Sequence, residues 1–194
     1  MSKIVVFGGS FNPITKAHIN IINNAIKLVN ANKGIIVPVG NYYTKDDLID
    51  YYHRYEMIKL AIKSSESILI NDCNNVNIQP KTLETLNHLQ NLYPNDNLYF
   101  LMGKDNLLDL NNWYKPHELL SKYHIIVVDR NTSLTISDIL KDDLFKNHLN
   151  NILILNSDID NYNISSSLIR TNITKYKKYL DINVYEYIIN NSLY

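Results

Sequence analysis

The sequence is short of several things, and each shortage excludes something. Cysteine occurs once, at Cys73. A single thiol makes neither an intrachain disulfide nor a cysteine zinc site, and it suits a reducing compartment. Charge of one sign is missing as well: 19 Lys and Arg balance 19 Asp and Glu, for a net charge of zero. That argues against a protein that holds nucleic acid mainly through its charge, while leaving room for a local basic pocket. No segment approaches 18 apolar residues, and the opening MSKIVVFGGS has too short an apolar run for a signal peptide. The expectation is a soluble cytoplasmic protein with no membrane and no nucleic-acid partner. Glycine is scarce, five in 194 residues, so its placement carries information. Gly8 and Gly9 are adjacent, and Gly34, Gly40 and Gly103 all flank short apolar runs.

What is present is 45% hydrophobic, enough for the core of one generous domain, predicted over residues 1–194. Short apolar runs rich in β-branched residues read as buried strands: 4–7 (IVVF), 35–39 (IIVPV), 67–70 (SILI), 98–102 (LYFLM), 125–128 (IIVV) and 152–155 (ILIL). Pro38 puts the end of the second run near a sheet edge or mouth. Between the runs lie helical patterns. Residues 15–30 carry Ile19, Ile22, Ala25, Ile26 and Val29 on one face. Asp50 is placed to cap a helix whose inner face holds Tyr51, Tyr55, Ile58, Ala61 and Ile62. Helices are also predicted at 82–92, near 117–122 and over 135–149, and the tail 166–191 reads as two or three short ones. The alternation predicts an α/β, doubly wound, mainly parallel sheet of five to six strands, with a helical C-terminal part from about residue 164.

In such sheets ligands bind at the carboxyl ends of the strands, beside the first strand-to-helix turn. Here that turn is GGSFNPIT, residues 8–15. It has neither the G-x-G-x-x-G of a dinucleotide loop nor the G-K-[ST] of a Walker A loop. The two glycines admit a close backbone approach. Asn12-Pro13 forces an extended step. His18 then falls in the first helical turn, among free N–H groups and the positive dipole end. A protonated or donating imidazole there serves a phosphate, whereas a structural His⁺ is disfavoured by the dipole. The plain alternative is a tight turn with a histidine beside it. A second unusual stretch, ISSSLIR at 164–170, weighs against that. Ser166 or Ser167 is placed to cap a short helix, with Arg170 one turn on as a phosphate clamp.

Together these stretches resemble the nucleotidyltransferase superfamily, with its (H/T)-x-G-H and I-S-S-T-x-x-R signatures. The segments GGSFNPITKAH, VPVGNYYTK, HRYEMIKLAI, KTLETL, LMGKDNLLDLNNW and VYEYIINNSLY follow in the order found in nicotinate/nicotinamide mononucleotide adenylyltransferases. The resemblance spans nearly all of the chain. Two positions depart from it: Ala17 stands where the family has glycine, and Ser167 where it has threonine.

The resemblance implies a Rossmann-like fold and attack of a mononucleotide phosphate on the α-phosphorus of ATP, giving a dinucleotide and pyrophosphate. That nucleophile is already ionised at neutral pH, so the work is alignment and electrostatic stabilisation. Mg²⁺ is implied, held mainly by the phosphates rather than by protein ligands. Gly9, Ser10 and Phe11 are implied at the phosphates, with Thr15 and His18 on ATP and His18 stabilising the transition state. Lys45 is implied to reach either phosphate group. Ser166, Ser167 and Arg170 hold the β- and γ-phosphates, Gly103 and Asp105 the ribose and adenine, and Ile164 the adenine pocket. Ser10, Asn12, Lys45, Thr82, Thr85, Trp113 and Tyr114 make up the mononucleotide side, where a flat indole suits a pyridine ring.

Other residues are expected to do no chemistry. His53 and Arg54 read as a helix surface or a structural pair, Cys73 as inert. His88, His117, His124 and His148 lack metal-ligand spacing. The segments VPVGNYYTKDDL and HRYEMIKLAI look like the eukaryotic and archaeal enzymes, whereas TLETL and GKDNLLDLNNWY look like the bacterial nicotinate-preferring ones. In the latter, backbone N–H groups donate to the carboxylate; a carboxamide NH₂ cannot accept, and nicotinamide mononucleotide stays open as a further acceptor. A nicotinate preference and a homodimer are expectations. The alternatives are another small nucleotidyltransferase, such as phosphopantetheine adenylyltransferase, a non-catalytic nucleotide-binding module, or a flavodoxin-like electron carrier.

Overall fold

Alternation along the strands divides the core into two halves, one on each face of a single sheet. The structure, a computed structural model, describes residues 1–43, 47–129, 135–156 and 164–194. Its strands are β1 (Lys3–Gly9), β2 (Lys33–Pro38), β3 (Ile68–Ile70), β4 (Asn97–Gly103), β5 (His124–Asp129) and β6 (Ile152–Asn156). They lie in the order β3-β2-β1-β4-β5-β6, and every neighbouring pair is parallel. The helices are α1 (Lys16–Val29), α2 (Tyr51–Ile62), α3 (Thr82–Leu92), α4 (Lys104–Leu108), α5 (Pro116–Lys122), α6 (Ile136–Ile139), α7 (Ser166–Thr171), α8 (Ile173–Tyr176) and α9 (Ile182–Asn190). This is the doubly wound architecture expected, with six strands and no antiparallel member among the described residues.

A strand sends successive side chains to opposite faces. Val5, Phe7, Ile36, Leu101, Ile126 and Val128 pack under α1, α2 and the C-terminal helices, with Ile21, Ile22, Met57, Ile58, Ile169, Val184 and Ile188. Ile4, Val6, Ile35, Phe100, Ile125 and Val127 pack against Leu83, Leu86, Leu89, Leu107, Leu119 and Leu120 of α3, α4 and α5. The ISSSLIR helix therefore lies on the same face as the helix that carries His18. Sheet order reverses direction between β1 and β4, and the crevice at their carboxyl ends is where such sheets bind ligands. Pro38 sits at that mouth, in register with Gly9 on the interior strand β1, not at a sheet edge.

Three expectations change. The pattern over 135–149 is α-helical only for Ile136–Ile139, and a 3-10 turn begins at Leu149. The Asp142 carboxylate takes the Leu144 amide at 2.9 Å, a local bond that competes with helix continuation. The inner face of α2 is built from Tyr51, Arg54, Met57 and Ile58, so an arginine occupies a core position and Tyr55 is only half-buried. Arg54 is thus not a surface residue: it is 0% exposed. Among the described residues no helix is long and apolar enough to cross a membrane.

Candidate active site

The turn after β1 is pinned by its own aromatic residue. Phe11 adopts a left-handed backbone, φ 45°, which an L residue takes up at a cost. Its buried ring stands edge-on to Phe7 and to the His18 imidazole, centroids 5.3 Å apart in both cases. A Cβ at Gly9 would come within 3.0 Å of that ring, so the glycine makes room for Phe11. Gly40, after β2, is constrained more severely: a Cβ there would lie 2.3 Å from the Asn74 carbonyl oxygen.

Thr15 caps α1 and His18 closes the capping box. The Thr15 amide donates to His18 Nδ1 at 3.0 Å, the Thr15 hydroxyl lies 2.8 Å from the same nitrogen, and the His18 amide donates back to Thr15 Oγ1 at 3.3 Å. Thr15 itself is 3% exposed, so it presents its histidine rather than itself.

The second motif is fastened to the first. Ser166 Oγ donates to the Pro13 carbonyl at 2.8 Å, and Arg170 Nη1 donates to the Asn12 carbonyl at 2.8 Å. The cap of α7 is Ser165, accepting from the Leu168 amide at 3.1 Å, and not Ser166 or Ser167 as the sequence led us to expect. Capping by Ser165 frees the Ser166 hydroxyl to turn inward; Ser167 remains exposed.

Below the turn, Arg54 spreads its guanidinium over three carbonyls: Ile49 (2.9 Å from Nε), Ser10 (3.1 Å) and Val39 (2.7 Å), the latter two from Nη1. It ties the loops after β1 and β2 to the entry of α2. Burial lowers its pKa, and Tyr194, Tyr51 and Asp50 work in the opposite direction.

A cleft of about 1020 Å³ opens at the carboxyl ends of β1, β2 and β4. Of the residues expected at the site, Gly9, Ser10, Phe11, His18, Thr82, Thr85, Gly103, Asp105, Trp113 and Tyr114 line it. Thr82 and Thr85 come from the start of α3, and Thr85 Oγ1 donates to Asn74 Oδ1 at 2.8 Å. Asp105, in the first turn of α4, is exposed. Trp113 stands edge-on to Phe100, centroids 6.4 Å apart. Asn12, Thr15, Ile164, Ser166, Ser167 and Arg170 are not part of the cleft wall. Asn12 is 1% exposed, and its carboxamide is occupied by the Asp47 carbonyl and the Tyr194 hydroxyl, both at 2.7 Å. Lys45 lies outside the described residues.

The cleft also holds residues that sequence reasoning missed, notably Asn74 and Gln79. Gly40 was the available signal. Its amide donates to Gln79 Oε1 at 2.8 Å, and its missing side chain admits the Asn74 backbone. Cys73, beside Asn74, is half-buried, and burial pushes its thiol up to about 11, which fits an inert cysteine.

A doubly wound sheet with a glycine-histidine turn and a serine-arginine helix joined over its switch point defines a nucleotidyltransferase. Residues 6–172 match the cytidylyltransferase-like family model. The probable nicotinate-nucleotide adenylyltransferase of Carboxydothermus hydrogenoformans is 33% identical over 198 residues, covering 100% of this chain and 98% of that protein. That of Acholeplasma laidlawii is 36% identical over 192 residues, covering 98% and 97%. Among solved structures, Plasmodium falciparum nicotinic acid mononucleotide adenylyltransferase complexed with NaAD superposes with a TM-score of 0.84 at 25% identity, covering 100% of this chain and 97% of that one. The chain belongs to the cytidylyltransferase-like family and, within it, to the nicotinate-nucleotide adenylyltransferases; it is an enzyme of the nucleotidyltransferase class.

Proposed function

We propose that this chain transfers the adenylyl group of ATP to nicotinate mononucleotide, releasing pyrophosphate and forming deamido-NAD in NAD biosynthesis. The observation that carries the reading is the shared cleft. In it, His18 and the turn of Gly9, Ser10 and Phe11 share a wall system with Thr82, Thr85 and Trp113, the groups implied for phosphates and pyridine ring. A relative solved with NaAD, at a TM-score of 0.84, supports the same pair of nucleotide halves.

In this reading His18 donates to the α-phosphate oxygens as charge develops, from an imidazole already held in place by Thr15. Ser10 and the adjacent backbone align the acceptor phosphate, together with Lys45. Arg170, Ser166 and Ser167 approach the triphosphate from the other motif. Gly103 and Asp105 receive the ribose, and Ile164 borders the adenine. No group of three or more His, Cys, Asp or Glu placed to hold a metal occurs among the described residues. Mg²⁺ would arrive on ATP, held mainly by phosphates rather than by protein side chains, and would neutralise phosphate charge. Thr82 opens α3, and a helix start presents backbone N–H groups that would favour a carboxylate over a carboxamide on the pyridine ring, although the Lys81 amide there is taken by Glu84 Oε2 at 2.7 Å. We further propose one domain over residues 1–194, its helical part from about 164 completing the site, acting as a cytoplasmic homodimer.

A coupled assay with ATP, Mg²⁺ and each mononucleotide tests this. Deamido-NAD and pyrophosphate are expected, with a higher kcat/KM for the nicotinate form. An equal or higher kcat/KM for the nicotinamide form overturns the preference, and no product with either overturns the reading.

A further inference from the structure

One residue from the far end of the fold touches both halves of the phosphate-binding apparatus. The Tyr194 hydroxyl donates to Asn12 Oδ1 at 2.7 Å, across 182 positions of sequence. The other end of the same carboxamide donates to the Asp47 carbonyl at 2.7 Å. Asn12 is therefore held at both ends of its side chain, with 1% of its surface exposed. Its backbone carbonyl is the acceptor for Arg170 Nη1 at 2.8 Å. The guanidinium of Arg170 also lies over the Tyr194 ring, 6.0 Å from its centroid. One phenol thus fixes the acceptor of the arginine and contacts the arginine itself.

We propose that Tyr194 is a positioning residue for adenylyl transfer, locking Asn12 and Arg170 in register so that GGSFNP and SSSLIR act as one clamp on the triphosphate. This rests on the reading above in which Arg170 meets ATP. The physical logic is preorganisation. Arginine has many rotamers, and a carbonyl and an aromatic face that fix it in advance reduce what ATP binding must order. Nη1 is used on the Asn12 carbonyl, and the remaining guanidinium donors stay directed by the same rigid fork. Burial pushes the Tyr194 phenol well above its ordinary value, against the pull of Arg170 and Arg54, so it keeps its proton and donates throughout the working pH range.

Tyr194→Phe keeps the ring over Arg170 and deletes only the hydroxyl; Tyr194→Leu removes both. Each variant is compared with the wild type in thermal melting, in ATP affinity by calorimetry with Mg²⁺, and in steady-state kinetics. Tyr194→Phe is expected to lower kcat/KM for ATP about tenfold, the scale of one hydrogen bond to a preorganised group, while KM for the mononucleotide stays within twofold. Tyr194→Leu loses more on the ATP side alone. In a double-mutant cycle with Arg170→Lys the losses are less than multiplicative, because the tyrosine acts through the arginine. Wild-type kcat/KM in Tyr194→Phe, multiplicative losses, or equal weakening of both substrates overturns the proposal. If the wild type transfers no adenylyl group to either mononucleotide, the functional reading fails, while the ATP affinity of the variants still decides this inference.

Discussion

The Thr15 amide donates to His18 Nδ1 at 3.0 Å, and that bond fixes the tautomer of the imidazole. An amide N–H cannot accept, so Nδ1 must offer its lone pair, and Nε2 carries the proton. The sequence left open a protonated or a donating imidazole. The capping geometry selects the neutral donor, which also avoids placing a cation at the positive end of α1. The Phe11 ring edge-on to the imidazole limits its rotation further.

Replacing His18 by Ala removes this donor while leaving the Thr15 cap on α1 in place. Loss of one donor to transition-state charge typically costs at least about a hundredfold in kcat. We expect that loss with ATP affinity changed only a few-fold, measured by steady-state kinetics and calorimetry on the same preparation. Unchanged turnover would refute the role given to His18.

Arg54 is the structural counterpart below the turn. Arg54→Met keeps the apolar stem but strips donors from the carbonyls of Ile49, Ser10 and Val39. Each buried acceptor left unsatisfied costs about 1–3 kcal/mol, so the unfolding free energy should fall by about 3–5 kcal/mol in urea titration. Arg54→Lys, with one point charge in place of a fork, should recover only part of it. A loss under about 1 kcal/mol in Arg54→Met would mean that water replaces the guanidinium freely.

Arg54 also shows where sequence reasoning stops. Strand runs such as IVVF and IIVV were legible because a parallel sheet buried on both faces needs continuous apolar residues. The two motifs were legible because they occur together in one chain: a histidine in the first turn of α1, and serines opening α7 with Arg170 in its last turn. A buried arginine was not, since within HRYEMIKLAI its charge marks it for solvent unless its three carbonyl partners are known from elsewhere in the fold. Nor was the seating of Asn12: its partners, Asp47 and Tyr194, are set by tertiary packing alone. The helix expected over 135–149 failed for a local reason, an aspartate that turns the chain at Asp142.

His124 opens β5 with its ring stacked on Tyr99, centroids 4.6 Å apart, and with Lys3 nearby. Burial first, and the Lys3 charge second, lower its pKa from the ordinary 6.5. A histidine depressed in the folded state binds protons less readily than in the unfolded chain. Its contribution to stability is complete above the unfolded pKa and is lost as pH falls through the folded one. The urea midpoint should therefore drop more between pH 7 and pH 5 in the wild type than in His124→Gln, with carboxylate titration common to both. Identical slopes would contradict the assignment.

Ala17 stands where the (H/T)-x-G-H signature has glycine, and a methyl there would crowd a nucleotide that lies close to the backbone. It occupies the second position of α1, half-buried against the apolar cluster under the sheet, and it is absent from the cleft wall. The methyl therefore faces the core, where it fills space and restrains a helical backbone. Ala17→Gly should cost about 0.5–1 kcal/mol, the usual penalty for glycine in a helix. For a chain of this size that lowers the melting temperature by about 2 °C. KM for ATP should stay within twofold, since nothing that contacts phosphate has moved. A KM several-fold lower in Ala17→Gly would show instead that the methyl intrudes on the nucleotide, and would reverse the placement argued for it.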